Sequence, residues 1–391
     1  MAQETDRPAR PTRTGIGGIF WQFLVVGLTA YGGPAMMPAL RDRVVRKLGW
    51  LGREEFRLGL GLCQSLPGGT LMQLSAWVGL KRAGLAGALA AYAGFSVPSF
   101  ALVTLLTLFY SDSRSLPLAV SVFTGLKVVV LAICLMACID FIKRFAPTTR
   151  HMAVTAGAAA LFLGGAGVVP IIGGAALCGM LFLDPGPGIL PGSIGPPPRS
   201  LPLALGLAGL DILLLGWLFY ADRQLFNLSI SMMKVDMLAF GGFGVIPVMF
   251  REVVVLHGWM DERTFLDGMA LAQVTPGPTM LASAFVGYWV RGVIGAVVAS
   301  IAIFACSFII VLAAAQYRDA IIASKLARKA LSGVLATLGG MIVVVSITLA
   351  QAVHWGWPQG TVLVLSLIAL AVHIPVPVIV LGGAGLSMLL F

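Results

Sequence analysis

A chain of 391 residues with 58% hydrophobic and only 11% charged residues is not a soluble domain, since soluble domains carry about 25% charged residues. Its mean hydropathy of +0.96 fits a polytopic, all-α membrane protein. The net charge of +10 is scattered between apolar stretches, which reads as the basic bias of cytoplasmic loops and not as a nucleic-acid surface.

In chain order, residues 1–18 form a polar tail bearing Arg7, Arg10 and Arg13, read as disordered, cytoplasmic and not cleaved. Apolar segments follow at 19–40, 58–80, 84–110, 118–140, 152–168 and 170–184. After a Pro/Gly-rich linker from Asp184 to Pro198 comes a single segment at 201–221. Six more lie at 234–256, 266–290, 293–316, 328–350, 356–373 and 375–391, making about 13 membrane segments.

The second six repeat the first six. Adding 209 carries Gly32, Gly33, Pro38, Gly49, Trp50 and Phe56 onto Gly241, Gly242, Pro247, Gly258, Trp259 and Phe265. It also carries Gln64, Pro67, Gly68 and Thr70 onto Gln273, Pro276, Gly277 and Thr279. One residue of slip later, Gly79, Gly84 and Gly87 meet Gly287, Gly292 and Gly295. Apolar sequence matches by chance at Leu and Val, not at spaced Gly, Pro, Trp and Gln. The chain therefore divides into a first repeat at 19–184, a linker with connecting helix at 185–221, and a second repeat at 222–391.

An odd number of segments per repeat turns the second copy upside down, the inverted plan of many secondary transporters. Charge agrees: Arg41, Arg43, Arg46, Lys47, Arg53 and Arg57 face only Arg251 and Arg263 in the other copy. If 19–48 and 56–80 are re-entrant hairpins and not spans, more Lys and Arg stay inside. The hairpin form is the expectation, with an N-terminus inside and a C-terminus outside. The stretch 41–57 reads as an interfacial helix with Trp50 at the headgroups.

Helix breaks inside an apolar segment are tolerated where the freed backbone is buried or lines a cavity. Each break here starts a new helix, whose unpaired N–H groups and positive dipole end suit an anion. The candidate site therefore comprises Gly32, Gly33 and Pro34, and Gln64 with Pro67, Gly68, Gly69 and Thr70. The second copy adds Gly241, Gly242, Gln273, Pro276, Gly277 and Thr279. The bland reading makes these ordinary kinks, with Gln and Thr capping backbone. Lys127 is a charge inside a span, either an anion contact or half of an ion pair. Asp211, midway along 201–221, either relays protons or pairs with a neighbour. Asp140 and Asp236 read as solvated or capping residues near segment ends. The four histidines form no cluster, the five cysteines read as buried structural thiols, and neither metal nor cofactor is expected. Nucleotide-binding and protease motifs are missing, so an enzyme is not expected and energy must come from a gradient.

The residues Gly32-Gly33-Pro34, Trp50, Glu54-Glu55-Phe56 and Leu62-Cys63-Gln64-Ser65-Leu66-Pro67-Gly68 resemble the chromate ion transporter (CHR) family. Gly258-Trp259, Phe265-Leu266-Asp267-Gly268 and Ala272-Gln273-Val274-Thr275-Pro276-Gly277-Pro278 resemble that family's second domain, and Gly125-Leu126-Lys127 its fourth segment. Gly69 departs from the pattern, which more often has Pro there. The resemblance implies a long-chain, two-domain member in a bacterial inner membrane. Such a protein exports chromate, a dianion shaped like sulfate, at the expense of the proton motive force, and so confers chromate resistance as an antiporter. Its partners would be chromate or sulfate, protons and lipid, with a homodimer left open. A general oxyanion carrier and a passive anion channel are the alternatives.

Overall fold

The computed structural model describes residues 14–29, 33–113, 117–185, 198–240 and 244–390. The tail 1–13, linker residues 186–197 and the expected site residues Gly32, Gly241 and Gly242 lie outside the described residues. The first half comprises α1 (Ile16–Thr29), α2 (Gly33–Arg41) continued as a π-turn to Lys47, α3 (Arg53–Gln64), α4 (Thr70–Ser113), α5 (Pro117–Phe145), α6 (Thr149–Leu163) and α7 (Val168–Phe182). The connecting helix is α8 (Leu201–Ala221). The second half comprises α9 (Arg223–Leu238), α10 (Val245–Phe250) continued as a π-turn to Leu256, α11 (Glu262–Val274), α12 (Ala282–Gln316) entered through a 3-10 turn at Thr279–Leu281, α13 (Arg318–Ala323), α14 (Lys325–Gln351), α15 (Trp357–Ala371) and α16 (Val376–Leu390).

The repeat is one of backbone as well as of sequence. The π-turns Asp42–Lys47 and Arg251–Leu256 occupy matching places. Gly49 and Gly258 both sit at φ +58, and Gly84 and Gly292 at +63 and +61. At Ala83-Gly84 the chain leaves helical geometry, and a Cβ on Gly79 would lie 2.1 Å from the Gly87 carbonyl oxygen. Residues eight apart in a straight helix are about 12 Å apart, so α4 folds back on itself. It is a short arm (70–82) laid against a long arm (85–113). α12 does the same at Arg291-Gly292, with Gly287 against Gly295. The short arms reach about 20 Å, less than the ~30 Å hydrocarbon core, whereas both long arms exceed it.

Among the described residues five helices are long and apolar enough to cross a membrane: Thr70–Asp112, Ser121–Phe145, Leu201–Ala221, Thr279–Gln316 and Lys325–Gln351. Other expected segments are shorter pieces. The segment 58–80 is interrupted between Gln64 and Thr70, and 266–290 between Val274 and Thr279. Nor is 41–57 one interfacial helix. Gly49 at φ +58 turns the chain between the π-turn and α3, which carries Trp50 inward. That ring is 5% exposed, packed on Phe23 with the Arg82 guanidinium 5.6 Å over it. Cys63, Cys134 and Cys138 are buried as expected, but Cys306 is half-buried on α12 and Cys178 is exposed on α7.

The halves exchange elements. α5 packs on α15 and α16, and α14 packs on α6 and α7. Small residues permit both contacts: the Gly125 N–H donates to Ser387 Oγ (3.0 Å), while Gly333 lies against Ala175 and Gly179. Reciprocal contact of this kind is what a two-fold relation between halves produces.

Candidate functional site

Each half breaks its chain at a Pro-Gly turn, and the two turns meet. In the first, α3 closes as the Ser65 N–H donates to Gly61 O and Leu62 O. The chain then turns through Pro67 and Gly68, at φ +106, and restarts as α4 at Thr70. In the second, α11 ends at Val274, Gly277 stands at φ +101, and Thr279 opens the turn into α12. Only glycine adopts this conformation without strain. Space forbids a side chain too: a Cβ on Gly277 would lie 1.8 Å from Ser99 Oγ, and one on Gly68 would lie 2.4 Å from Ser307 Cβ. A Cβ on Gly69 would meet Met280 Sδ at 2.8 Å, so the two tips touch.

Each tip is held by the opposite half. The Gly68 N–H donates to Ala239 O (2.7 Å), just past the end of α9. Gln73 Nε2 donates to Pro67 O. Ser99 Oγ on α4 donates to Pro276 O. The Gly68 donor is therefore already used. Open donors remain in the first turn after the first break, whereas at the second the Leu281 N–H already reaches Pro278 O (3.1 Å). At the first tip the Gln73 N–H reaches Gly69 O, so the open turn is Thr70, Leu71 and Met72.

The matched glutamines differ. Gln64, the last residue of α3, is exposed, whereas Gln273 is buried. Gly33 heads α2, and the surroundings of Gly33 and Pro34 lie outside the described residues. Lys127 Nζ stands 3.3 Å from Asp267 Oδ1. The Tyr110 hydroxyl donates to Asp267 Oδ2 (2.8 Å), and the Tyr110 ring packs on Phe123 and Phe285. This cluster ties α5 and α4 of the first half to α11 of the second. Asp211 lies half-buried on α8, whose outer face is strongly exposed at Leu213, Trp217 and Tyr220.

One assignment is corrected. Asp140 is exposed, as expected of a solvated residue, but Asp236 is fully buried. Its Oδ2 accepts the Ser307 N–H at 2.6 Å, because α9 packs along α12 and brings Asp236 under the Gly68 tip. Asp267, Ser99, Ser307 and Tyr92 were not singled out from sequence. The signal for the serines was present, since the repeat offset carries Ser99 onto Ser307.

Outside the apolar interior, Asp222 caps α9. The Leu225 N–H, the Arg291 guanidinium 3.1 Å away and the Gln224 N–H hold its carboxyl below the usual range. Among the described residues no cluster of His, Cys, Asp and Glu could hold a metal ion.

The profile of the family described as Chromate transporter matches residues 17–180 and 226–388, one match in each half. An uncharacterised transporter of Methanocaldococcus jannaschii is 33% identical over 90% of this chain and 89% of its own length. The chromate transport protein of Pseudomonas aeruginosa is 28% identical over 92% and 87%. That of Cupriavidus metallidurans is 26% identical over 75% and 73%. No solved structure matches the chain.

Proposed function

This chain belongs to the chromate transporter family, and we propose on that premise that it exports chromate across a bacterial inner membrane by alternating access. The observation that carries the reading is the meeting of two Pro-Gly tips, Gly69 against Met280, each followed by a helix start at Thr70 or Thr279. The first-turn N–H groups of Thr70, Leu71 and Met72 and the Thr70 hydroxyl bind a dehydrated dianion, with the Gln64 amide at the open mouth and Gln273 buried behind the second tip. The reciprocal exchange of helices supports two inverted repeats, with the N-terminus cytoplasmic, the C-terminus periplasmic and α8 setting the parity. Rocking one half against the other then exposes the tips to each side in turn. The proton motive force supplies the energy, and resistance to chromate is the outcome for the cell.

Chromate and sulfate have the same shape and charge, and backbone N–H donors distinguish them little. A sulfate or general oxyanion carrier is therefore the neighbouring reading, and a passive channel needs no coupling group at all. Purified protein in proteoliposomes, loaded with chromate or sulfate and given an imposed pH gradient, separates the three. Uphill chromate movement under the gradient supports the proposal. Equal competition by sulfate converts it to the general carrier, and flux indifferent to the gradient converts it to the channel.

A further inference from the structure

Asp236 has no counterpart in the first half. The repeat offset carries it to Gly27, where a Cβ would strike the Phe95 carbonyl oxygen at 2.6 Å and α1 lies close on α4. The glycine–serine contact itself is duplicated: Gly68 sits against Ser307 as Gly277 sits against Ser99. A single carboxyl has thus been placed in one of two matched contacts. It makes no ion pair among the described residues, and a lone carboxylate deep in a membrane protein is costly enough to mark function.

Its two oxygens are treated differently. Oδ2 takes the Ser307 N–H. Ser307 Oγ is 3.1 Å from the Tyr92 hydroxyl, which also reaches Phe304 O at 3.2 Å. Oδ1 is buried without a hydrogen-bond partner, and so is Gln73 Oε1. Both residues flank one point: a Cβ on Gly68 would lie 3.0 Å from Asp236 Oδ1 and 3.1 Å from the Gln73 amide nitrogen. A buried acceptor without a partner, such as Asp236 Oδ1, calls for an added hydrogen. The titratable groups beside Asp236 are Tyr92 of α4, whose hydroxyl shares Ser307 with it, and Cys306 of α12, the residue before Ser307. Cys63 of α3 acts on Tyr92 and Asp211 of α8 on Cys306. Lys234, on its own helix, is engaged by Glu252 at 3.5 Å.

We propose that Asp236 is the residue that carries the coupled proton, and that its charge decides whether the Gly68 tip stays docked. This rests on the carrier reading above. Ala239, three residues beyond Asp236, supplies the carbonyl that holds the Gly68 N–H. Neutral Asp236 is compatible with the dry, docked tip. When its O–H bond breaks and the proton leaves to water on the inner side, the remaining carboxylate demands hydration and the tip separates. A proton taken from water on the outer side restores the docked state.

The test has two arms. A hydrophobic carbodiimide adds to protonated carboxyls buried in membrane proteins, the carboxyl oxygen bonding to its central carbon while the proton passes to nitrogen. Purified full-length protein is treated between about pH 5 and 9, a range that spans the titration of a buried carboxyl, and the adduct is located by peptide mass. Asp236 is expected to be modified, with the adduct fading as pH rises. In proteoliposomes a pH step of about one unit is worth about tenfold per coupled proton, and in Asp236→Asn the ratio of chromate flux with and without the step is expected to fall to about one. Absence of the adduct at every pH overturns the proposal. So does a wild-type response to the step in Asp236→Asn, or a response to a sodium gradient in place of protons. If Asp236→Asn does not fold, the labelling of the wild-type protein decides. If the wild type moves no chromate, the carrier reading fails while the labelling arm still reports on Asp236.

Discussion

The two tips share a Pro-Gly turn followed by Thr and are not alike in their surroundings. Gln64 opens to the surface while Gln273 is closed over. Asp267 and Lys127 stand where the other half has Leu58 and Leu335, and Asp236 stands where it has Gly27. Repetition supplies the backbone, its breaks and its close glycine contacts. Two departures from repetition, Asp236 and Asp267, are buried carboxyls. On the carrier proposal, which needs two states alike in shape and unequal in energy, these positions are where inequality would enter.

The largest effect is expected from breaking the cluster at Asp267. Lys127→Met leaves a carboxylate that is only 4% exposed without its cation, a change that costs about 3–5 kcal/mol. Giving both positions the leucine of the opposite half, Lys127→Leu with Asp267→Leu, should recover most of that loss, read as melting temperature in detergent. If the double variant is less stable than either single one, the third member of the cluster, the Tyr110 hydroxyl on Asp267 Oδ2, outweighs the ion pair. Next come the tips. Gly277→Ala forces a Cβ onto Ser99 Oγ at a positive φ, and overpacking of this kind costs about 1–3 kcal/mol. Gly68→Ala should cost less, since its nearest clash is looser, and Ser99→Ala should relieve part of the Gly277→Ala defect. Equal loss of thermal stability in the two alanine variants would contradict the geometry.

The glutamines test openness directly. With native thiols removed, Gln64→Cys should react with a charged thiol reagent about tenfold faster than Gln273→Cys, because access controls such rates. On the alternating-access proposal, a condition that reverses this order populates the opposite state. The smallest effect is at Asp222. Its folded carboxyl titrates below the unfolded one, so its stabilising contribution is present above the unfolded value of about 4 and is lost as pH falls through the lower folded value. Asp222→Asn should melt slightly lower than wild type at pH 7, with the gap closing on acidification.

The breaks were legible because glycine and proline inside an apolar segment leave few structural options, and the offset between copies named them twice. Pro67-Gly68 and Pro276-Gly277 turn where expected, and 58–80 is divided as a hairpin requires. Contacts between distant segments were not legible. Lys127 announced itself as a charge within a span, but Asp267 lay among residues read as a motif, and nothing local joined them. Asp236 was read from its place near a segment end. Its burial depends on α9 packing along α12, some seventy residues later in the chain. Trp50 followed the same pattern: it lies in a stretch rich in Arg and Lys, and its neighbours in space are Phe23 and Arg82.

The exchange of α6 and α7 for α15 and α16 bears on how the chain is assembled. When the first half has been synthesised, α5 has no α15 or α16 to dock against, and α6 and α7 have no α14. The first half cannot complete its packing until the second arrives. A half-length chain with this architecture would have to find another copy by diffusion. Joining the halves through the linker and α8 makes that encounter intramolecular, at an effective concentration of about millimolar. The two halves then stay in fixed stoichiometry, which leaves each free to diverge at Asp236 and Asp267 without a mismatched pair ever forming.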